Sequence, residues 1–195
     1  VPVPSAQAEV YAGRPNFQLP YACGSTYYNS TYAGHDDYDI DMGLPANTPV
    51  LASAEGIATQ GHSTRGGYQV AIDHGNGWRT LYLHLQAGSY RFSNGALVRQ
   101  GQHIADSGNT GTPPGGGVSA AHLHYEQQYN GAKQRARFDG VLSIINQDTH
   151  SYGENLTSRN CGTRVVSGGA GYFYRVLNNG NMLGYDHSGW PNPVS

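Results

Sequence analysis

The sequence predicts a β-dominant fold: an antiparallel sheet core with long loops around a cleft and at most short helices. Three observations predict it. The 195-residue chain holds 28 glycines and 15 tyrosines, which suits strands joined by tight turns. Several runs alternate apolar and polar residues with the period of a half-buried strand. Gly75-Asn76-Gly77 and Asn130-Gly131 sit beside such runs, where Asn-Gly favours a two-residue hairpin turn.

Each element follows in order. Residues 1–20 carry Pro2, Pro4, Pro15 and Pro20 and predict an extended arm, with Phe17 and Leu19 placed to anchor it. Residues 23–34 are a polar, aromatic loop. In residues 35–42, Ile40 and Met42 alternate with acids as in a strand, bracketed by Gly34, Gly43 and Pro45. Residues 48–60 predict a strand broken at Glu55-Gly56 and then a second strand. A polar turn at 62–66 precedes a strand over 67–74, with Val70 and Ile72 on one face. Trp78–Leu85 runs back. Its alternation puts Trp78, Thr80, Tyr82 and His84 on one face and Leu81, Leu83 and Leu85 on the other. Residues 86–96 form a loop, and 96–105 predict two short strands about a turn. Residues 108–119 are a glycine-rich loop with Pro113 and Pro114. After the alternating run at 121–126, Asn130-Gly131 starts a hairpin that returns over 133–138. Val141, Leu142 and Ile145 recur at helical spacing, so 138–145 predicts one short helix. A strand over 172–177 lies in a turn-rich end. No internal repeat is visible. The chain divides as one domain over 1–195: an arm at 1–30, a core at 31–140 and a tail at 141–195 packed on the core.

Charged residues make up 12% of the chain and the net charge is −2. Lys133 is its only lysine. This balance argues against nucleic acid as a partner. No apolar run approaches the roughly 20 residues that span a bilayer. The chain starts Val1-Pro2-Val3-Pro4, as a mature form does after leader removal, which predicts a secreted, extracellular protein. Two cysteines, Cys23 and Cys161, lie outside any CxxC motif. In a secreted chain they would form one disulfide between the arm and the C-terminal part.

Candidate ligands lie on three separate pieces. In Ala121-His122-Leu123-His124-Tyr125-Glu126, both imidazoles leave one side of a strand while Leu123 points the other way. His84 points away from the leucine face of its strand and can line a cleft. His35 and Asp39 are four apart. On a straight strand they would be separated by about 13 Å, too far to share one metal, so the chain must turn after His35 if they do. Imidazole and carboxylate are ordinary zinc ligands, and a catalytic zinc keeps three of them plus an open position. A zinc ion also lowers the pKa of a water it binds toward 7. Spacing alone leaves open which of His122 and His124 is a ligand.

The order of these pieces resembles the lysostaphin-type and beta-lytic zinc endopeptidases of bacterial cell-wall lysis. The resemblance rests on His35-x-x-x-Asp39, the strand from Pro49-Val50-Leu51-Ala52 to Gly56, Leu81-Tyr82-Leu83-His84-Leu85 and His122-Leu123-His124-Tyr125-Glu126. Gly95 and Val98-Arg99-Gln100-Gly101-Gln102-His103-Ile104 also fit, so the match covers 34 to about 127. It implies one zinc on His35, Asp39 and His124, with His84 and His122 flanking it as general base and oxyanion stabiliser. Asp36, Asp37 and Asp41 would tune the site from behind. It implies hydrolysis of peptidoglycan peptides, with glycine-containing cross-bridges as the usual target, by a secreted monomer. Two other functions compete: a broader secreted protease acting on ordinary proteins, and a non-catalytic wall-binding or regulatory module. A missing ligand would have favoured the latter, and every ligand position is filled.

Overall fold

A computed structural model describes residues 13–32, 35, 38–111, 120–143 and 152–161, with the backbone alone at Leu142 and Tyr152 and over 164–167, 173–176, 182–185 and 191–192. The described residues form strands and no helix. In chain order the strands are β1 (Thr26–Thr31), β2 (Ile40–Met42), β3 (Pro49–Leu51), β4 (Gly56–Ser63), β5 (Gly67–Gly75), β6 (Trp78–Leu85), β7 (Ala96–Val98), β8 (His103–Asp106) and β9 (Leu123–Tyr129). There follow β10 (Ala132–Gln134), β11 (Arg137–Phe138), β12 (Val141–Leu142), β13 (Tyr152–Thr157), β14 (Arg164–Ser167), β15 (Phe173–Val176), β16 (Met182–Tyr185) and β17 (Pro191–Asn192). The expected all-β, antiparallel architecture is the one observed.

The main sheet runs β13-β1-β2-β9-β6-β5-β4-β7, and β10 pairs with β9. β3 pairs with β8, β11 with β12, and β14 to β17 form a separate meander. Ile40, Met42, Val70, Ile72, Tyr82, Leu123 and Tyr125 lie on one face of the main sheet, all buried. They pack with Val50, Ala52, Ile104 and Ala105 of the β3–β8 pair. Full burial of such a side chain contributes about 1.5–3 kcal/mol, which fixes the register. A slip of one residue in β2 or β9 would turn Asp41 or His124 into this core. Phe17, fully buried beside Trp78 and Ala54, and Leu19 anchor the arm as expected.

The hairpins at Asn76-Gly77 and Asn130-Gly131 both form, with all four residues at positive φ. Three expectations are corrected. Residues 138–142 do not form the start of a helix, because Asp139-Gly140 is a tight turn (φ 50° and 75°) between β11 and β12. Asp-Gly favours that turn, and glycine inside a helix costs about 1 kcal/mol. Residues 144–150 lie outside those described. The return strand after Asn130-Gly131 ends at Gln134, because β11 pairs with β12 instead. β7 and β8 both exist but do not pair with each other: β7 adds to β4 and β8 to β3. The strand expected over 172–177 is β15. Residues 112–119, most of the glycine-rich loop, also lie outside the described residues.

Cys23 and Cys161 are disulfide-bonded, with Cα atoms 4.6 Å apart, the pairing that the sequence predicts. Closing so long a loop stabilises by about 4–5 kcal/mol in the chain-entropy account. No helix of the described residues is long and apolar enough to cross a membrane.

Candidate metal centre

The other face of the main sheet carries the candidate residues. β2 pairs with β9 so that Asp41 lies opposite His124, and β6 pairs with β9 so that Leu83 lies opposite the same histidine. Side chains directly opposite on one face are neighbours. Leu123 and Tyr125 point into the core, so His122, His124 and Glu126 project the other way, as the alternation predicts. His122 itself precedes β9 and bridges to Gly108.

His35 reaches this face from the loop before β2. Its N–H bonds the Tyr32 carbonyl at 3.0 Å, and Tyr38, at φ 63°, bends the chain into β2. The expected turn after His35 is present. His35, Asp39 and His124 form a group whose potential ligand atoms all lie within 4.8 Å of one another.

His84 arrives by a route the alternation did not predict. The buried positions of β6 are Trp78, Thr80, Tyr82 and then Leu85, while Leu81, Leu83 and His84 are half-buried. The expected leucine face is therefore corrected. Between Tyr82 and Leu85, β6 holds one residue more than β5 does between Val70 and Tyr68. His84 sits in that bulge at φ 62°, a left-handed backbone that non-glycine residues rarely adopt. Without the bulge His84 would share the core face of Tyr82. With it, the ring lies 4.9 Å from that of His122 and 5.8 Å from that of His124.

Each imidazole is oriented by the bond on one nitrogen. His84 Nδ1 lies 2.8 Å from the Thr110 carbonyl and His122 Nδ1 2.8 Å from the Ala120 carbonyl. A carbonyl only accepts, so both Nδ1 atoms carry hydrogen and both Nε2 atoms are the basic ones. His35 Nδ1 is 3.5 Å from Thr31 Oγ1, and its ring stacks on Tyr32 at 4.4 Å. His124 meets carboxylates at both nitrogens: Nε2 lies 3.2 Å from Asp39 Oδ2 and 3.4 Å from Glu126 Oε1, and Nδ1 faces Asp41.

Asp41 stands among these rings. Its Oδ1 is 3.1 Å from His124 Nδ1, 3.5 Å from His35 Nε2 and 3.6 Å from His122 Nε2. Burial alone would raise its pKa, but the His124 bond and the fields of His35 and His122 outweigh burial and hold it low. Burial would lower His124, yet bonds to Asp39, Asp41 and Glu126 raise it well above its ordinary value. His84 is lowered, first by burial and further by His122 and His124, against the Thr110 bond. The sequence reading gave Asp41 a tuning role, and its Oδ1 stands 3.1 Å from His124 Nδ1.

Residues 35–136, just over half of the chain, match the model described as Peptidase family M23. The chain belongs to this family. Among curated relatives, a DD-carboxypeptidase/endopeptidase Mpg of Neisseria meningitidis is 45% identical over 47% of the chain. The peptidoglycan DD-endopeptidase ShyA of Vibrio cholerae is 42% identical over 44%. The aligned region is about a fifth of each relative's length: 20% and 19%. In fold, the chain resembles a solved structure titled as a novel deep-sea M23 metalloprotease, pseudoalterin. The TM-score is 0.52 over 92% of this chain and 99% of that one, at 19% identity. The M23 family is one of metallopeptidases, and its match spans all of the candidate residues.

Proposed function

We propose that this chain is a secreted zinc endopeptidase that cuts the peptide part of bacterial peptidoglycan. The observation that carries the reading is the convergence of four imidazoles and two aspartates on one sheet face inside the M23 stretch. The donor set suits zinc, which takes nitrogen and carboxylate oxygen together. His35 and His124 would hold it with Asp39, the carboxylate that the family resemblance implies; one ligand atom of each lies within 4.8 Å of the others. A bound divalent metal supplies Lewis-acid polarisation and a more acidic water.

The remaining work falls to the chain's own side chains. His84 is held by Thr110 with Nε2 as the basic nitrogen, and its lowered pKa keeps it neutral at neutral pH. It would accept a proton at Nε2 and return it to the leaving amine. His122 would act beside the developing oxyanion. The whole chain, 1–195, would work as one monomeric unit: an arm at 1–30, a core at 31–140 and a tail at 141–195. The disulfide supports export, since such bonds persist in oxidising compartments.

The scissile bond has two readings. The family resemblance favours a glycine-containing cross-bridge. The names of the two curated relatives favour a DD peptide bond of the cross-link. Mass spectrometry of fragments released from peptidoglycans of different cross-bridge chemistry separates them. Cleavage confined to walls with glycine bridges supports the first, and cleavage of directly linked walls supports the second. Release of fragments from casein but from no wall would overturn both.

A further inference from the structure

The outer face of the main sheet continues beyond the metal residues. Register carries it outward strand by strand. Asp41 of β2 lies opposite His124 on one side and opposite Ser30 of β1 on the other, and Ser30 lies opposite Gly153 of β13. Residues directly opposite share a face. Thr26, Tyr28 and Ser30 of β1 and Gly153, Asn155 and Thr157 of β13 therefore extend the surface on which His124 stands. Asn29 and Thr31, which alternate with them, are buried on the core side.

This extension has a definite chemistry. Tyr28 is 54% exposed, and Tyr32, just past β1, is 50% exposed. The Tyr32 ring stacks on His35 at 4.4 Å, so it borders the metal group. The Tyr28 ring lies down across Gly153, since a Cβ added there would overlap the ring and its hydroxyl. Glycine at 153 is thus what lets that ring lie along the sheet instead of standing off it. The other side chains here are hydroxyls and an amide. Thr26 and Thr157 share a bond of 2.7 Å, with Ser30 and Asn155 beside them. None of these positions carries a carboxylate or a cationic group. Glu154 alternates to the other side, where it lines a cavity with Leu19 and Phe138.

We propose that Tyr28, lying on Gly153, is a platform for an N-acetylated sugar of the substrate's glycan, with Tyr32 bordering the path from that sugar to the metal residues. This rests on the peptidoglycan reading and adds to it the place of the sugar. A neutral surface of aromatic ring and hydroxyls suits a neutral sugar. The C–H face of a pyranose packs on the aromatic plane, and its hydroxyl and acetamido groups exchange hydrogen bonds with side chains such as Ser30 and Asn155. A stem peptide, with its carboxylates and amines, would find no ionic partner there. The position fits as well. β9 and β13 are three strand spacings apart, about 14 Å, the reach of about four extended residues. Peptidoglycan carries a stem peptide of that order between its sugar and its cross-link, so a bond held at the metal residues puts the sugar at Tyr28. β13 is the last strand of the sheet on this side, and a glycan polymer can run along that rim without crossing the cleft.

The test compares a cross-linked muropeptide carrying its disaccharides with the same peptide after amidase has removed the sugars. Wild type should show a KM about 10-fold lower for the sugar-bearing form, the gain from burying about 60 Å² of apolar surface, at similar kcat. Tyr28→Ala should lose that preference and leave kcat and KM on the sugar-free peptide unchanged. Gly153→Ala, which keeps Tyr28 but lifts its ring, should do the same. Tyr28→Phe should retain the preference, because the ring and not its hydroxyl makes the contact. An N-acetylglucosamine oligosaccharide free of peptide should shift the Tyr28 ring resonances of tyrosine-labelled protein. Equal KM for the two forms in wild type, or a preference that survives both Tyr28→Ala and Gly153→Ala, would overturn the platform and leave the endopeptidase reading standing. Failure to cut either form would overturn that reading instead. The oligosaccharide titration then decides the platform alone: shifts at Tyr28 uphold it, and their absence overturns it.

Discussion

His84 donates through Nδ1 to the carbonyl of Thr110 at 2.8 Å, from a backbone held at φ 62°. A left-handed residue costs roughly 1–2 kcal/mol relative to ordinary φ, and such strain concentrates where it positions reactive groups. His84→Ala should therefore fold, keep its metal and bind wall fragments with similar affinity. Its kcat should fall by about 10²–10⁴-fold. His84→Gly should be equally inactive yet melt higher than His84→Ala, by the equivalent of about 1 kcal/mol. Near-normal turnover in either variant would make His84 a bystander.

The Thr110 carbonyl is itself held in place. Thr110 Oγ1 donates to the Leu85 carbonyl at 2.6 Å and accepts from the Tyr68 N–H at 3.0 Å. Gly67, at φ 64°, lies so close that an added Cβ would overlap Thr110. Gly67→Ala should destabilise by roughly 2–4 kcal/mol, from left-handed strain plus overpacking. It should lower kcat beyond what the lost folded fraction explains, because Thr110 must shift. Urea unfolding beside single-turnover kinetics on folded protein would separate the two effects. A variant as stable and active as wild type would remove Thr110 from the account.

His124→Ala should lose metal and activity together, and His122→Ala should keep metal while losing turnover. Chelation should abolish activity and zinc should restore it. Elemental analysis of each purified variant reads this out, and the reverse pattern would mean that the roles of the two histidines are exchanged.

His74 offers a stability prediction far from the metal chemistry. Burial lowers its pKa more than the Glu55 carbonyl and Asp73 raise it. Its Nδ1 bonds that carbonyl at 2.7 Å and its Nε2 lies 2.8 Å from Thr80 Oγ1. The folded state prefers the neutral ring, so the unfolded chain binds the proton first as pH falls. The His74 contribution is full above the ordinary histidine value of about 6.5 and declines as pH drops below it toward the folded pKa. Wild type should therefore lose more stability between pH 8 and pH 5 than His74→Gln does, although the variant is less stable at pH 8. Equal pH slopes in urea unfolding would sink this.

Much of the fold was legible locally. Alternation in β2 and β9 set which residues face the core, since strand side chains have a period of two, and the Asn-Gly pairs marked both hairpins. The helix expected over 138–145 failed because spacing was read ahead of the Asp139-Gly140 turn. Likewise β7 and β8 were placed as strands but not with their partners, because pairing between distant strands leaves no local trace.

By itself the sequence determined the all-β class, the pairing of the two cysteines, and the set of side chains able to bind a metal. Those properties follow from residue type, backbone propensity and short-range periodicity. The tertiary structure decided how these side chains meet. It inserted the bulge that turns His84 off the core face, since a ladder with one extra residue must flip the side chains beyond it. It set Asp41 opposite His124 and brought the only lysine to Asp39, 94 positions away in sequence. Which nitrogen of His124 faces which carboxylate depends on three strands lying side by side, and no single segment carries that information.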